Sequence, residues 1–190
     1  MNKDLKSKVL PLVLAVVVIV LDQITKMLVV RYIQPYTIGA QFFGDFIRLI
    51  HVYNTGVAFS VGAGWPDVAR RILFSIIPII VLVIVLVVYF RNTDFTKLQR
   101  WAISGIVGGG FGNIIDRIFR SQGVIDFIDV KWFGIEKSPI GLFRMTRWPT
   151  FNVADSAVVV CGIMLLVSFI ITISKDSKAK KDDKNAEGEK

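Results

Sequence analysis

The chain has 190 residues, of which 53% are hydrophobic and only 20% are charged, and its formal net charge is +8. So little charge for so much apolar surface excludes an ordinary water-soluble domain and indicates a membrane protein. In a soluble protein the positive charge would favour nucleic acid. Here much of the lysine lies near the two ends of the chain, so we predict no nucleic-acid partner.

The first apolar stretch, Val9 to Val30, is long enough to cross a membrane as a helix of about 20 residues. Three lysines precede it, as in a cleavable signal peptide: Lys3, Lys6 and Lys8. No small-x-small cleavage site follows, and the pattern continues apolar to Val30 through several polar residues. We therefore predict a retained anchor.

Three further stretches meet the same length, and they run from Arg71 to Phe90, Trp101 to Phe119 and Val153 to Ile173. We predict an all-α membrane protein of four transmembrane helices, with a small extracytoplasmic β-rich loop between spans 1 and 2. Residues 1–174 would form one domain, and the charged residues 175–190 a disordered cytoplasmic tail. Basic residues at both ends and in the link between spans 2 and 3 favour cytoplasmic termini, although the outer loops also carry arginines.

The first outer loop has a strand-like pattern. Residues from Phe46 to Tyr53 alternate roughly between apolar and polar, and Asn54-Thr55-Gly56 follows. This predicts a short hairpin or small sheet that turns at Asn54 to Gly56. Asn54 would serve either as a turn residue or as an amide that holds an extended peptide.

Two features of the middle spans concern the backbone. Glycines 105, 108, 109, 110 and 112 form small-xxx-small repeats in span 3, which favour close helix contact. A phosphate-binding loop is the alternative, but no strand precedes these glycines and no Lys-Ser or Lys-Thr follows them. Pro78 in span 2 would kink its helix or leave a carbonyl unpaired.

Polar residues cluster where three spans reach the outer side. They are Asp22 and Lys26 in span 1, Asn113, Asp116 and Arg117 in span 3, and Asn152 and Asp155 at the start of span 4. Antiparallel helices would gather them into one polar pocket. The alternative is purely structural, because Asp22 and Lys26 are spaced to neutralise each other and Asp116 beside Arg117 could form an interfacial charge cluster.

The single cysteine and the single histidine limit which disulfides, metal sites and catalytic sites the chain can form. Cys161 lies inside span 4, which excludes an internal disulfide and a cysteine metal cluster. His51 has no second histidine or cysteine ligand to share a zinc ion, and no serine sits in a glycine-flanked elbow. We expect no metal.

The long segment from Lys131 to Thr150 mixes aromatic and basic residues. Its composition favours a belt at the lipid headgroups, and a flap that faces the substrate is the alternative. Trp148 is one of the aromatic residues of this segment.

Five short motifs together resemble the signal peptidase II family, the lipoprotein signal peptidases. They occur in the family's order, and they are Leu21 to Lys26, Asn54 to Phe59, Gly108 to Arg117, Val124 to Phe127 and Phe151 to Asp155. The resemblance covers nearly all of the chain except the two ends.

The resemblance implies that Asp126 and Asp155 are the catalytic pair of an intramembrane aspartic peptidase. It implies supporting roles for other motif residues. Asn54, Gly56, Asn113, Arg117 and Asn152 would line or support the substrate site, Asp116 would support it beside Arg117, and Asp22 and Lys26 would hold the helix ends.

By the same resemblance the substrate is a diacylated prolipoprotein, cut just before its lipidated cysteine in the bacterial inner membrane, near the outer face. We expect no metal or organic cofactor, membrane lipid as a partner, and a monomer. The rival from another class is a small proton- or ion-coupled transporter or channel, in which the same acids would relay protons or bind ions. A nonenzymatic scaffold is the third possibility.

Overall fold

A computed structural model describes residues 3–55, 66–131 and 146–188 of the chain. Within these ranges it has five helices and three strands. In chain order they are α1 (Lys3–Val9), α2 (Leu12–Tyr32), β1 (Ile38–Phe42), β2 (Ile47–Asn54), α3 (Asp67–Arg91), α4 (Lys97–Phe119), β3 (Val124–Val130) and α5 (Val153–Gly188).

Three helices of the described chain are long and apolar enough to cross a membrane: Leu5–Tyr32, Ile72–Arg91 and Val153–Lys175. They correspond to the first, second and fourth predicted spans. The third predicted span is α4, a helix of 23 residues whose glycines and polar residues lower its hydropathy. Because α4 packs against α2, α3 and α5, much of its surface faces protein and does not need to be apolar enough for lipid.

The glycines of α4 allow this close packing, as predicted. A Cβ atom at Gly108 would lie 2.7 Å from the Cα and carbonyl oxygen of Ala15 in α2. A Cβ atom at Gly109 would collide with the carbonyl oxygen of Ala154 in α5. Two neighbouring helices therefore approach the backbone of α4 at adjacent residues.

This packing predicts a difference between two similar substitutions. Gly108→Ala should lower the free energy of unfolding by about 1–3 kcal/mol, because the new methyl group meets rigid backbone. Gly110→Ala should cost less, since its methyl group would meet only the movable side chain of Leu82. Thermal unfolding of both variants in the same detergent measures the difference, and equal shifts would contradict this account.

The strands form one antiparallel sheet in the order β1-β2-β3. β1 and β2 make a hairpin in which Phe42 pairs with Ile47, and the turn between them contains Phe43 and Gly44 with positive φ. The predicted turn from Asn54 to Gly56 extends past Thr55, where the described stretch ends, and stays a prediction. Asn54 ends β2, where it pairs with Val124 of β3, and Gly56 lies outside the described residues.

The predicted β-rich loop between spans 1 and 2 is therefore only part of the sheet, since β3 follows α4. The two acids of β3, Asp126 and Asp129, are three residues apart and do not show the alternation of a half-buried strand. β3 is buried along most of its length, on both faces of the sheet, so its residues carry no alternation that the sequence could reveal.

At the C-terminal end, the backbone of α5 continues as helix to Gly188, beyond the apolar part of the segment. The sequence predicts disorder from residue 175 onward. The division into a domain, 1–174, and a charged tail, 175–190, stays a prediction.

Candidate active site

Two carboxyl groups from different elements meet the same asparagine. Asp126 of β3 is 3% exposed and accepts hydrogen bonds from Nδ2 of Asn54 at 2.9 Å and Nδ2 of Asn152 at 2.8 Å. Asp155, in the first turn of α5, accepts from Nδ2 of Asn113 at 2.7 Å and from the backbone amide of Asn152 at 3.1 Å. All five of these residues except Asn54 are at least partly buried.

Asn152 begins α5 through a reciprocal cap. Its Oδ1 accepts from the amide of Asp155 at 2.9 Å, while its own amide donates back to the carboxylate of Asp155. This arrangement satisfies two amides that the helix start leaves without a partner in the helix. The cap thus fixes the side chain of Asp155.

Phe151 brings this helix start against the sheet. The amide of Ile128 donates to the carbonyl of Phe151 at 2.8 Å, and the amide of Phe151 donates back to Ile128 at 3.0 Å. Asn152 therefore follows a residue that is bonded to the strand of Asp126. This short bridge closes the long path between Asp126 and Asp155.

A buried ionic cluster lies on the other side of Asn113. The ammonium group of Lys26 is 2.8 Å from a carboxylate oxygen of Asp22 and 2.8 Å from one of Asp116, and none of these side chains is exposed. Lys26 also donates to Oδ1 of Asn113 at 2.9 Å. The predicted pairing of Asp22 with Lys26 is present, and the cluster adjoins the carboxyl pair.

Two members of this cluster, Gln23 and Arg120, were not predicted from the sequence as site residues. Gln23 donates to Asp22, to Asp116 and to the backbone carbonyl of Gly112. Arg120 pairs with Asp116 at 3.0 Å. The i, i+4 spacing of Asp116 and Arg120 could have predicted their ion pair. No feature of the sequence around Gln23 indicates that its side chain contacts α4.

Arg117 has a hydrogen-bond partner on another helix. Its Nη1 donates to the carbonyl of Phe74 at 2.7 Å, across the contact between α3 and α4. That carbonyl lies four residues before Pro78, which has no amide hydrogen to offer it. The carbonyl that Pro78 was predicted to leave unpaired therefore receives the guanidinium of Arg117.

A cavity of about 710 Å³ opens onto both carboxyl groups. Its other walls are mainly apolar, and they come from the end of β3, the stretch before α5 and the first turns of α5. The lining residues are Asn54, Asp126, Val130, Lys131, Trp148, Pro149, Thr150, Phe151, Asp155, Ser156, Val159 and Val160. Trp148 thus lines the cavity rather than belonging only to a headgroup belt; residues 132–145 lie outside the described chain.

His51 takes a structural position. It is 1% exposed, its Nδ1 lies 2.8 Å from the carbonyl oxygen of Ile33, and its ring packs against Tyr53. Neither of these contacts involves the carboxyl pair.

Burial raises the pKa of Asp126 from 3.8 to about 6. The hydrogen bond from Asn54 works against this rise, and the nearby charge of Asp155 adds to it. A carboxyl group with such a pKa can hold a proton close to neutral pH, which ordinary aspartates on a protein surface do not.

This shift predicts a pH-dependent stability. Between pH 3.8 and about 6 the folded chain binds more protons at Asp126 than the unfolded chain does. The free energy of unfolding should therefore fall as the pH rises through this window, by on the order of 3 kcal/mol, and this contribution should be constant above it. Thermal unfolding of the wild type and Asp126→Asn from pH 4 to 8 tests this, and parallel curves would contradict it.

Comparison with solved structures places this fold among membrane enzymes. Two structures, each titled as a bacterial membrane enzyme, superpose with TM-scores of 0.68 and 0.66 at 25% sequence identity. The matches cover 87% and 84% of this chain, and 90% and 91% of the other chains. The fold and the buried carboxyl pair together define a multi-pass membrane enzyme.

Sequence comparison gives the family. The family model described as signal peptidase (SPase) II matches residues 14–171. The chain is 48% identical to the lipoprotein signal peptidase of Treponema pallidum over 87% of this chain and 85% of that protein. It is 49% identical to that of Treponema denticola, over 92% and 96% respectively. The chain belongs to the signal peptidase II family of lipoprotein-processing proteases.

Proposed function

We propose that the chain is an aspartic endopeptidase that removes the signal peptide from diacylglyceryl-modified prolipoproteins, cutting just before the lipidated cysteine. The observation that carries this proposal is the pair Asp126 and Asp155, both bonded to Asn152 and both lining one cavity. Membership of a protease family favours peptide cleavage over the transporter alternative.

In the proposed mechanism one carboxyl is ionised and the other holds a proton, because two close carboxylates repel each other. Asp155 is the base. It lies at the start of α5, where backbone amides and the helix dipole favour a negative charge. It takes a proton from water as the water oxygen attacks the scissile carbonyl carbon.

Asp126 is the acid in this mechanism, and its raised pKa supports that role. It donates its proton to the carbonyl oxygen as the tetrahedral intermediate forms. The intermediate then collapses and the C–N bond breaks. One hydroxyl group of the intermediate returns a proton to Asp126, and the proton gained by Asp155 passes to the leaving amine. The pair titrates as a unit, so a measured pH profile reports both groups together.

The surroundings of the pair suit a lipidated peptide in the inner membrane. In this proposal α4 also crosses the membrane, as the third of four spans, so both termini are cytoplasmic and the site is near the outer face. The basic residues Arg91, Lys97 and Arg100, at the end of α3 and the start of α4, favour this orientation. The apolar cavity wall formed by Val159 and Val160 continues along the membrane helix α5. The protein acts as a monomer, with its substrate's acyl chains left in the lipid.

The test uses the purified chain in lipid nanodiscs and two substrates of one sequence, a diacylated prolipoprotein and its unlipidated Cys→Ser counterpart. We expect a size shift for the first and at least a tenfold slower one for the second, with a chelator leaving the rate unchanged. Absence of cleavage contradicts the enzyme assignment, and equal cleavage of both substrates contradicts the proposed lipid specificity.

A further inference from the structure

The ammonium group of Lys26 uses all of its hydrogen-bonding capacity inside the protein. Its three partners are Asp22 and Asp116 at 2.8 Å each and Oδ1 of Asn113 at 2.9 Å. An ammonium group has three protons to donate and no lone pair to accept with. Since Lys26 is fully buried, each polar atom that faces its ammonium group must be an acceptor.

This requirement fixes the amide of Asn113. Asn113 must turn its oxygen to Lys26, so its NH2 group points to the other side, where it lies 2.7 Å from Oδ1 of Asp155. An NH2 group can only donate. The cation on one side of Asn113 thus determines that Asp155 receives a hydrogen bond on the other.

The same oxygen of Asn113 reinforces the direction of a second amide. It accepts from Nδ2 of Asn152 at 3.0 Å, on the side to which the cap of α5 already turns this NH2 group. That NH2 group lies 2.8 Å from Oδ1 of Asp126, while the oxygen of Asn152 accepts from the amide of Asp155. Both asparagines therefore present donors to the carboxyl pair in one consistent direction.

We propose that Lys26 is a positioning residue for the reaction, which acts by orienting the side-chain amides of Asn113 and Asn152 toward Asp155 and Asp126. This inference rests on the proposed function of the pair. This role of Lys26 is more than holding a helix end. If either amide turned the other way, its oxygen would lie against a carboxylate oxygen and no hydrogen bond could form. Ion pairing with Asp22 and Asp116 holds the cation in place for this task.

A simple removal of Lys26 would leave Asp22 as an unpaired buried charge and threaten the fold. The experiment therefore compares Asp22→Asn with the double variant Asp22→Asn/Lys26→Met. In the double variant one negative and one positive charge are lost together, and Asp116 keeps its ion pair with Arg120. The oxygen of the new asparagine can still accept from the amide of Ala154, as Asp22 does.

Relative to Asp22→Asn, the double variant should show a kcat on the order of 10- to 100-fold lower, because the reacting groups are misplaced, with KM within about twofold. The acid limb of its pH profile should move up by about one pH unit, since a carboxylate loses a donor. Cleavage of a diacylated prolipoprotein from pH 4 to 9 provides both readings.

A third variant, Asp22→Asn/Lys26→Gln, keeps a neutral donor that can face Asn113 and Asp116. It should recover at least about fivefold in kcat over the methionine variant. If the methionine variant does not fold, the glutamine variant is compared with Asp22→Asn instead. Its kcat should then lie within about tenfold of that of Asp22→Asn.

Equal kcat values and equal pH profiles for Asp22→Asn and a folded methionine variant would overturn the role of Lys26. So would a folded glutamine variant whose kcat lies more than about a hundredfold below that of Asp22→Asn. Failure of the proposed function looks different. In that case Asp126→Asn or Asp155→Asn would still cleave at a rate near that of the wild type.

Discussion

Asp126→Asn and Asp155→Asn should each lower kcat for a diacylated prolipoprotein by at least about 10³-fold. An amide can neither take the proton from the attacking water nor supply one to the carbonyl oxygen with comparable ease. Either loss breaks the division into one acid and one base, so the two single variants and the double variant should be similarly inactive. Initial rates from the size shift at saturating substrate measure the effect.

Asp45→Asn provides a matched control for this experiment. Asp45 lies between β1 and β2 of the same sheet, its carboxylate is 41% exposed, and its pKa is lowered by the hydrogen bond from Lys131. Its loss should change kcat by less than about twofold, because exposed ion pairs contribute little. A catalytic variant that cleaves within tenfold of the wild type would remove its residue from the proposed mechanism.

Asn152→Ala should be the most damaging change outside the carboxyl pair, with kcat lowered on the order of 100-fold or more. The substitution removes the donor to Asp126 and the cap that holds Asp155. It should also lower the free energy of unfolding by about 1–2 kcal/mol through loss of the cap of α5. Cleavage rates and thermal unfolding, measured on the same preparation, separate the two effects.

Asn92→Ala is the corresponding control, because Asn92 caps a turn far along the chain from the site. Its Oδ1 accepts from the amides of Asp94 and Phe95 before α4. This variant should lose a similar amount of stability and keep kcat within about twofold. If Asn152→Ala loses no more activity than Asn92→Ala, the link that Asn152 makes between the two carboxyl groups is not needed for the reaction.

Close packing of α4 was predictable because its cause lies in a short stretch of chain. Glycines at small-xxx-small spacing permit helices to touch whatever the rest of the fold is. The partners were not predictable: Ala15 faces Gly108, and Ala154 faces Gly109. Which helix meets each glycine depends on how the whole bundle is arranged.

Arg117 also shows a local cause that the sequence reveals and a partner that only the fold determines. Pro78 predicts a carbonyl without its helical partner, since proline has no amide hydrogen. The charge beside Asp116 makes a local ion cluster an alternative, and this stays a prediction. The guanidinium of Arg117 reaches the carbonyl of Phe74 on another helix, while Asp116 pairs with Lys26 and Arg120.

By itself the sequence determined that the chain is a membrane protein, where its apolar segments lie and, through its motifs, which family it belongs to. These are properties of contiguous stretches, because hydropathy and motif spacing are written in neighbouring residues. Only the tertiary structure decided that Asp126 lies on a strand, that Asn152 reaches both carboxyl groups and that Lys26 contacts Asn113. The contacts of Asn152 with Asp126 and of Lys26 with Asn113 join elements distant along the chain, so they exist only once helices and sheet have packed together.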